Sequence, residues 1–354
     1  MPYLSSISII NFKDRISQTE VRNYAEGLFA PSFPNIQKIM GIFDNTEIQT
    51  RNFCYPLKEY IHLGGFGERN DAYIRITLDA AVEAVEQCIQ RAGITGSEVT
   101  DLIFVSSTGL ATPSLDALLM HRMKLNPYLR RTPIFGLGCA GGVAAMAKAN
   151  AMAMAEPKAV VLTVVAELCS LTFLKSDYTK SNFVASSLFS DGVAAFVVKG
   201  DEVEATEPFH IGLLNGQSHL YPDSVDVMGW DFRDEGFRVL FSQDIPTIIR
   251  KEVKPDIEAF LHSHSLALED ISEFIFHPGG KKVLTAYLEA LNQEGDFLEN
   301  TRIIMQQYGN MSSATVLYVL ERCLRVGFKE GYGLMAAMGP GFSSELFLLD
   351  MKMR

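Results

Sequence analysis

At 354 residues the chain is long enough for two ordinary domains or one duplicated unit, with a substantial buried core. Apolar residues make up 47% and charged residues 21%, which excludes a disordered chain. Acidic residues number 42 against 31 basic ones, a formal charge of −11, so no global positive field exists to gather nucleic acid. A local basic patch can still hold a phosphorylated ligand.

The five cysteines, Cys54, Cys88, Cys139, Cys169 and Cys323, are scattered and include no CxxC pair. That predicts reduced thiols in a cytoplasmic setting, with neither a disulfide framework nor a metal site. The opening MPYLSSISIINFKDR has no basic lead, long apolar run or small-residue cleavage site, so no signal peptide is expected. The longest apolar-leaning stretch, 140–155, is interrupted by Lys148 and Asn150 and is too short to cross a bilayer. No stable membrane association is expected.

In chain order, hydrophobic periodicity predicts a strand over 5–10, helices over 18–29 and 34–43, and a strand over 48–54. A long amphipathic helix follows over 71–92, with Ile74, Leu78, Ala81, Val82, Val85 and Cys88 on one face. Strands and helices then alternate: strand 102–105, helix 113–123, strand 134–137, helix 140–155, strand 159–166, helix 181–189 and strand 193–198. Past a polar boundary at 200–208, the segment 210–241, with the single tryptophan Trp230, reads as irregular or hairpin structure over a pocket. The rest repeats the order more loosely: strand 274–277, helices 281–291 and 312–324, and strands 334–338 and 346–349. Two such series predict a duplicated, mostly parallel α/β fold with halves 1–204 and 205–354.

The segment PIFGLGCAGGV places Cys139 between a buried strand and a helix start. The positive end of the helix dipole favours thiolate there, and the glycines allow a substrate carbonyl to approach backbone N–H groups. The competing reading is a structural cysteine packed by small residues. His277 ends a buried strand before Pro278-Gly279-Gly280, which predicts a side chain facing a cleft, against the plainer reading of a satisfied core histidine. His262 and His264, near the polar end of a helix, are expected in solvent. Asn310, in QYGNMSS, either caps the next helix or offers a fixed amide beside His277. Cys, His and Asn in that order, 138 and then 33 residues apart, fit a papain-like hydrolase or a thiolase-type condensing enzyme. A papain-like cysteine lies near the mature N-terminus, whereas Cys139 is mid-chain, so hydrolysis is the weaker option.

The motifs GLGCAGG at Cys139, FHPGG at His277, YGNMSS at Asn310 and MGPGF from Met338 resemble the chalcone/stilbene synthase family, the type III polyketide synthases. STGLATPS at 107–114, ELCSLTF and SLFSDGVAA are similar to bacterial members that make alkylpyrones and alkylresorcinols. The resemblance implies a homodimeric, cytoplasmic, thiolase-like duplicated αβαβα layered fold that needs no metal or redox cofactor. Cys139 would take a medium- or long-chain acyl starter from acyl-CoA. His277 and Asn310 would hold the malonyl-CoA carbonyl through decarboxylation, and the enolate would attack the Cys-bound acyl group before cyclisation to an alkyl-α-pyrone or resorcinol. His277 would also keep Cys139 ionised as an imidazolium–thiolate pair.

By the same resemblance Phe189 is a gate between a CoA tunnel and the cavity. Cys169 and Thr172 line that cavity, Gly236 leaves it volume, and Met338 alters its shape. Lys38 and Lys282, or Lys281, would meet the CoA phosphates. The initiating β-ketoacyl-carrier-protein synthase shares Cys-His-Asn but stops after one condensation; Phe189 and the Gly339-Pro340-Gly341 loop favour the polyketide reading.

Overall fold

The structure, a computed structural model, describes residues 1–33, 35–204, 209–242 and 244–353. Its strands are β1 (Tyr3–Ile9), β2 (Asp14–Ser17), β3 (Thr50–Phe53), β4 (Asp101–Val105), β5 (Arg130–Ile134), β6 (Val160–Leu168) and β7 (Asp191–Lys199). They continue with β8 (Phe209–Leu220), β9 (Met228–Arg233), β10 (Gly236–Phe241), β11 (Ile271–Phe276), β12 (Gly331–Gly339) and β13 (Ser343–Met353). One sheet runs β11-β12-β13-β8-β1-β7-β6-β4-β5, while β2–β3 and β9–β10 are separate pairs.

Strand pairing displays the duplication. In the first half β4 runs parallel to β6, β6 antiparallel to β7, and β7 antiparallel to β1. The second half repeats the series: β11 parallel to β12, β12 antiparallel to β13, and β13 antiparallel to β8. The leading strands β1 and β8 join antiparallel at the centre, and β5 extends the first series parallel to β4. Five of these eight pairings are antiparallel, so the sheet is mixed and not mostly parallel. Burial on both faces makes strands of either direction read as apolar runs, and periodicity carries no direction.

The alternation of side chains along each strand builds the layers. Leu162, Val164 and Ala166 of β6 face the long helix Phe66–Arg91, while Val161 and Val165 face the helices Gly141–Ala155 and Thr315–Val326. Met335 and Ala337 of β12 join the same central layer. Leu334, Ala336 and Met338 face the outer helices Lys254–Ser263 and Lys281–Leu291. The order is helix, first half of the sheet, central helix pair, second half of the sheet, helix, the thiolase-like αβαβα arrangement.

Several elements depart from expectation. The strand expected over 134–137 lies at Arg130–Ile134, where charged, partly exposed edge residues hide it from an apolar pattern. The segment 210–241 contributes the long strand β8 as well as the β9–β10 hairpin. The helix expected from Pro34 runs Gln37–Asp44, and Pro34 lies outside the described residues. The boundary at 204/205 abuts residues 205–208, also outside them. His264 is half-buried and bonded to Asn215 and the Phe260 carbonyl, not free in solvent. Among the described residues no helix is long and apolar enough to cross a membrane.

Candidate active site

Cys139 sits on the 3-10 turn Gly138–Ala140, just before the central helix Gly141–Ala155. Asn310 stands two residues before the equivalent turn of the second repeat, where Ser312–Ala314 opens the helix Thr315–Val326. The two turns touch, with Cys139 Sγ 3.7 Å from Ser312 Oγ. His277 follows β11, its N–H held by the Ala336 carbonyl on β12 at 2.8 Å. Duplication therefore brings residues 171 positions apart onto facing helix starts.

Gly138 and Gly142 of the cysteine motif serve this close approach. A Cβ on Gly142 would lie 2.4 Å from the Ser313 carbonyl oxygen. One on Gly138, whose φ is +47°, would lie 2.6 Å from the Pro340 ring, so the Gly339-Pro340-Gly341 loop packs on the cysteine turn.

Cys139, His277 and Asn310 line one cavity of about 420 Å³, with Leu188, Met228, Phe241, Tyr287 and Met338. Burial pushes the Cys139 thiol up to about 12, against the dipole, and pushes His277 down to about 3. In both cases burial favours the neutral form, which works against the ion pair expected from the motifs. Neither ring nitrogen of His277 has a hydrogen-bond partner. Asn310 serves both of its anticipated roles in part: Oδ1 accepts the Ser312 N–H (2.9 Å), while Nδ2 donates to the Gly279 carbonyl (2.8 Å) and keeps a second N–H to give.

The cavity rim carries Lys180, Lys281 and Lys282, with Lys281 paired to Glu47 at 3.0 Å. Lys180 was not singled out from sequence; its place at a helix start beside the pocket is a tertiary fact. Lys38 is exposed on its helix and lines no part of the cavity, although Ile42, Asn45 and Thr46 nearby do.

A second cavity, of about 70 Å³, is lined by Cys169, Thr172 and Phe189 together with Arg51, Tyr60 and Trp230. The Phe189 ring stands between the two spaces, 5.6 Å from Phe241 of the first and 6.2 Å from Trp230 of the second. Gly236 lines neither. It opens β10 at φ +132°, packed on Arg69 and Leu174, and lines a separate pocket of only about 10 Å³ that it shares with Thr172. Trp230 instead lines the second cavity.

Sequence reasoning also passed over Glu167, fully buried near the end of β6. Its carboxyl accepts from Ser107 N (2.9 Å), Thr108 Oγ1 (2.8 Å) and Ser313 Oγ (2.5 Å). Ser107 Oγ in turn accepts the Gly138 N–H at 3.2 Å, tying the network to the cysteine turn. Glu-Leu-Cys at a strand end was the available signal.

Sequence comparison matches residues 60–202 to the N-terminal domain and 213–352 to the C-terminal domain of chalcone and stilbene synthases. A putative chalcone synthase of Bacillus subtilis (strain 168) is 42% identical over 360 residues, covering 99% of each chain. The 1,3,6,8-tetrahydroxynaphthalene synthase of Streptomyces peucetius subsp. caesius is 38% identical, covering 85% of this chain and 80% of that one. The crystal structure of 1,3,6,8-tetrahydroxynaphthalene synthase from Streptomyces coelicolor A3(2), a bacterial type III polyketide synthase, superposes with a TM-score of 0.93 at 28% identity, covering 99% and 100%. The chain belongs to the chalcone and stilbene synthase family and is a type III polyketide synthase, a condensing acyltransferase.

Proposed function

We propose that this enzyme loads an acyl group from acyl-CoA onto Cys139, extends it with malonyl-CoA, and cyclises the product to an alkyl-α-pyrone or resorcinol. One observation carries the reading: a buried thiol, an unpartnered buried imidazole and an anchored amide converge on a single cavity with a basic rim. Lys180 and Lys282 at that rim suit the CoA phosphates better than Lys38 does.

During loading, neutral His277 accepts the thiol proton as Cys139 attacks the acyl-CoA carbonyl, so the ion pair forms when substrate arrives and not before. The CoA thiolate leaves with that proton, and Cys139 holds the acyl thioester. When malonyl-CoA binds and loses CO2, the electron pair of the broken carbon–carbon bond becomes an enolate. Its oxygen takes hydrogen bonds from His277 and from the second N–H of Asn310. The enolate carbon then attacks the thioester and expels Cys139. No group has to remove a proton from carbon, so this cycle calls on no metal or redox cofactor.

The space behind Phe189, about 70 Å³, is under half of the ~150 Å³ that holds a benzene ring in a protein core. A starter of a few carbons suits it, and a fatty chain requires Trp230 to swing aside. A homodimer in the cytoplasm completes the reading: exposed Phe135 and Phe232 lie 6.5 Å apart, an apolar surface for a second copy to cover, and all five cysteines are free.

The test is incubation of the purified protein with acyl-CoAs from acetyl to palmitoyl plus radiolabelled malonyl-CoA. Labelled pyrone or resorcinol is expected, and its absence with every starter refutes the reading. Cys139→Ala removes the acyl-enzyme seen by intact mass.

A further inference from the structure

The smaller cavity contains a polar chain that the condensation leaves without a role. Tyr60 Oη donates to Ser170 Oγ at 2.7 Å, and Ser170 Oγ donates to Asp191 Oδ2 at 2.6 Å. Asp191 is fully buried and also accepts the backbone N–H groups of Ser170 (2.8 Å) and Cys54 (2.7 Å). Tyr60 and Ser170 line a cavity whose remaining wall is largely apolar. Arg51, equally buried beside them, gives Nη1 to the carbonyls of Ser186 and Phe189, while its Nε and Nη2 have no partner. Ionisable groups buried in such a wall are costly. Anchoring two backbone N–H groups explains the Asp191 carboxyl but neither the hydroxyl chain reaching the cavity nor the guanidinium.

We infer that Tyr60, acting through Ser170 and Asp191, takes the enol proton that lets the extended chain close its ring. The inference rests on the polyketide reading above, in which a second extension leaves a β-dicarbonyl chain on Cys139. Phe189, which lines the small cavity with Tyr60 and Cys169 and whose ring lies 5.6 Å from Phe241 of the cavity that holds Cys139, marks the path from the thioester towards Tyr60. The distal enol O–H gives its proton to Tyr60 Oη as Tyr60 passes its own to Ser170 and Ser170 passes its own to Asp191. The freed oxygen attacks the thioester carbon, the carbon–sulfur bond breaks, and the electron pair stays on the Cys139 sulfur. When the proton returns along the chain, the net change is one proton moved from the enol oxygen to sulfur, with no co-reactant consumed.

Asp191, with Arg51, Cys54, Tyr60, Cys169 and Tyr318 around it, is pushed up by burial to about 6, which suits it to hold and release a proton near neutrality. Tyr60 is raised well above its ordinary value and so remains a phenol that relays.

Tyr60→Phe keeps the ring, edge-on to Phe53 at 5.8 Å, and removes only the hydroxyl. With butyryl-CoA and radiolabelled malonyl-CoA, ring product and released CO2 are measured in the same reaction. Their ratio is expected to fall about tenfold or more, with linear chain accumulating on Cys139 by intact mass, and Ser170→Ala is expected to shift it the same way. A purely structural role lowers both quantities together, and an unchanged ratio in both variants overturns the relay. Wild-type protein that releases no CO2 with any starter from acetyl- to palmitoyl-CoA overturns the polyketide reading instead.

Discussion

Replacing Glu167 by Gln tests how the buried network beside the cysteine turn is balanced. Three donors stabilise the carboxylate, yet burial outweighs them and pushes Glu167 from 4.5 up to about 7. Below about pH 4.5 the carboxyl is protonated in both folded and unfolded chains and costs nothing. Between 4.5 and 7 the unfolded chain releases the proton while the folded one retains it, so stability falls by about 1.4 kcal/mol per pH unit. Above about 7 the loss is complete, at about 3 kcal/mol. Glu167→Gln removes this titration, because its amide oxygen still accepts and Ser313 can turn to accept from the amide nitrogen. Urea unfolding of both proteins at about pH 5 and about pH 8 should therefore show the wild type losing about 2 to 3 kcal/mol relative to the variant. Parallel stability in the two proteins refutes the reasoning and places the ionisation in the ordinary carboxyl range.

Two further outcomes follow from the cavities. With Cys139 pushed up to about 12, its alkylation by iodoacetamide in the free enzyme should accelerate steadily with rising pH through neutrality, and a rate already flat there would reveal a standing thiolate. Trp230→Ala should shift the acyl-CoA preference towards longer chains, with kcat/KM gaining about fourfold per added methylene until the new space is filled; an unchanged chain-length profile removes Trp230 from the acyl path.

The helices Gln18–Phe29 and Lys281–Leu291 were legible to the residue because their limits are local. Ser17 and Glu20 form a capping box at the first, and Gly280 and a left-handed Asn292 bracket the second. β8 was not legible, because its alternating polar residues become a strand only by pairing with β13 and β1. That Gly236 lines a smaller pocket beside the inner cavity was not legible for a related reason: a small residue in sequence says nothing of which wall it faces.

The sequence by itself determined the chemistry present, since the motifs around Cys139, His277 and Asn310 specify a thiol, an imidazole and an amide at strand and helix ends, and with them the family. Only the tertiary structure decided their state. Burial is a property of what packs around a group, and it pushes Cys139 and His277 towards their neutral forms, makes Trp230 rather than Gly236 a wall of the inner cavity, and sets Tyr60 and Asp191 behind Phe189. Charge in a low-dielectric interior depends on neighbours far away in sequence, and no local pattern records them.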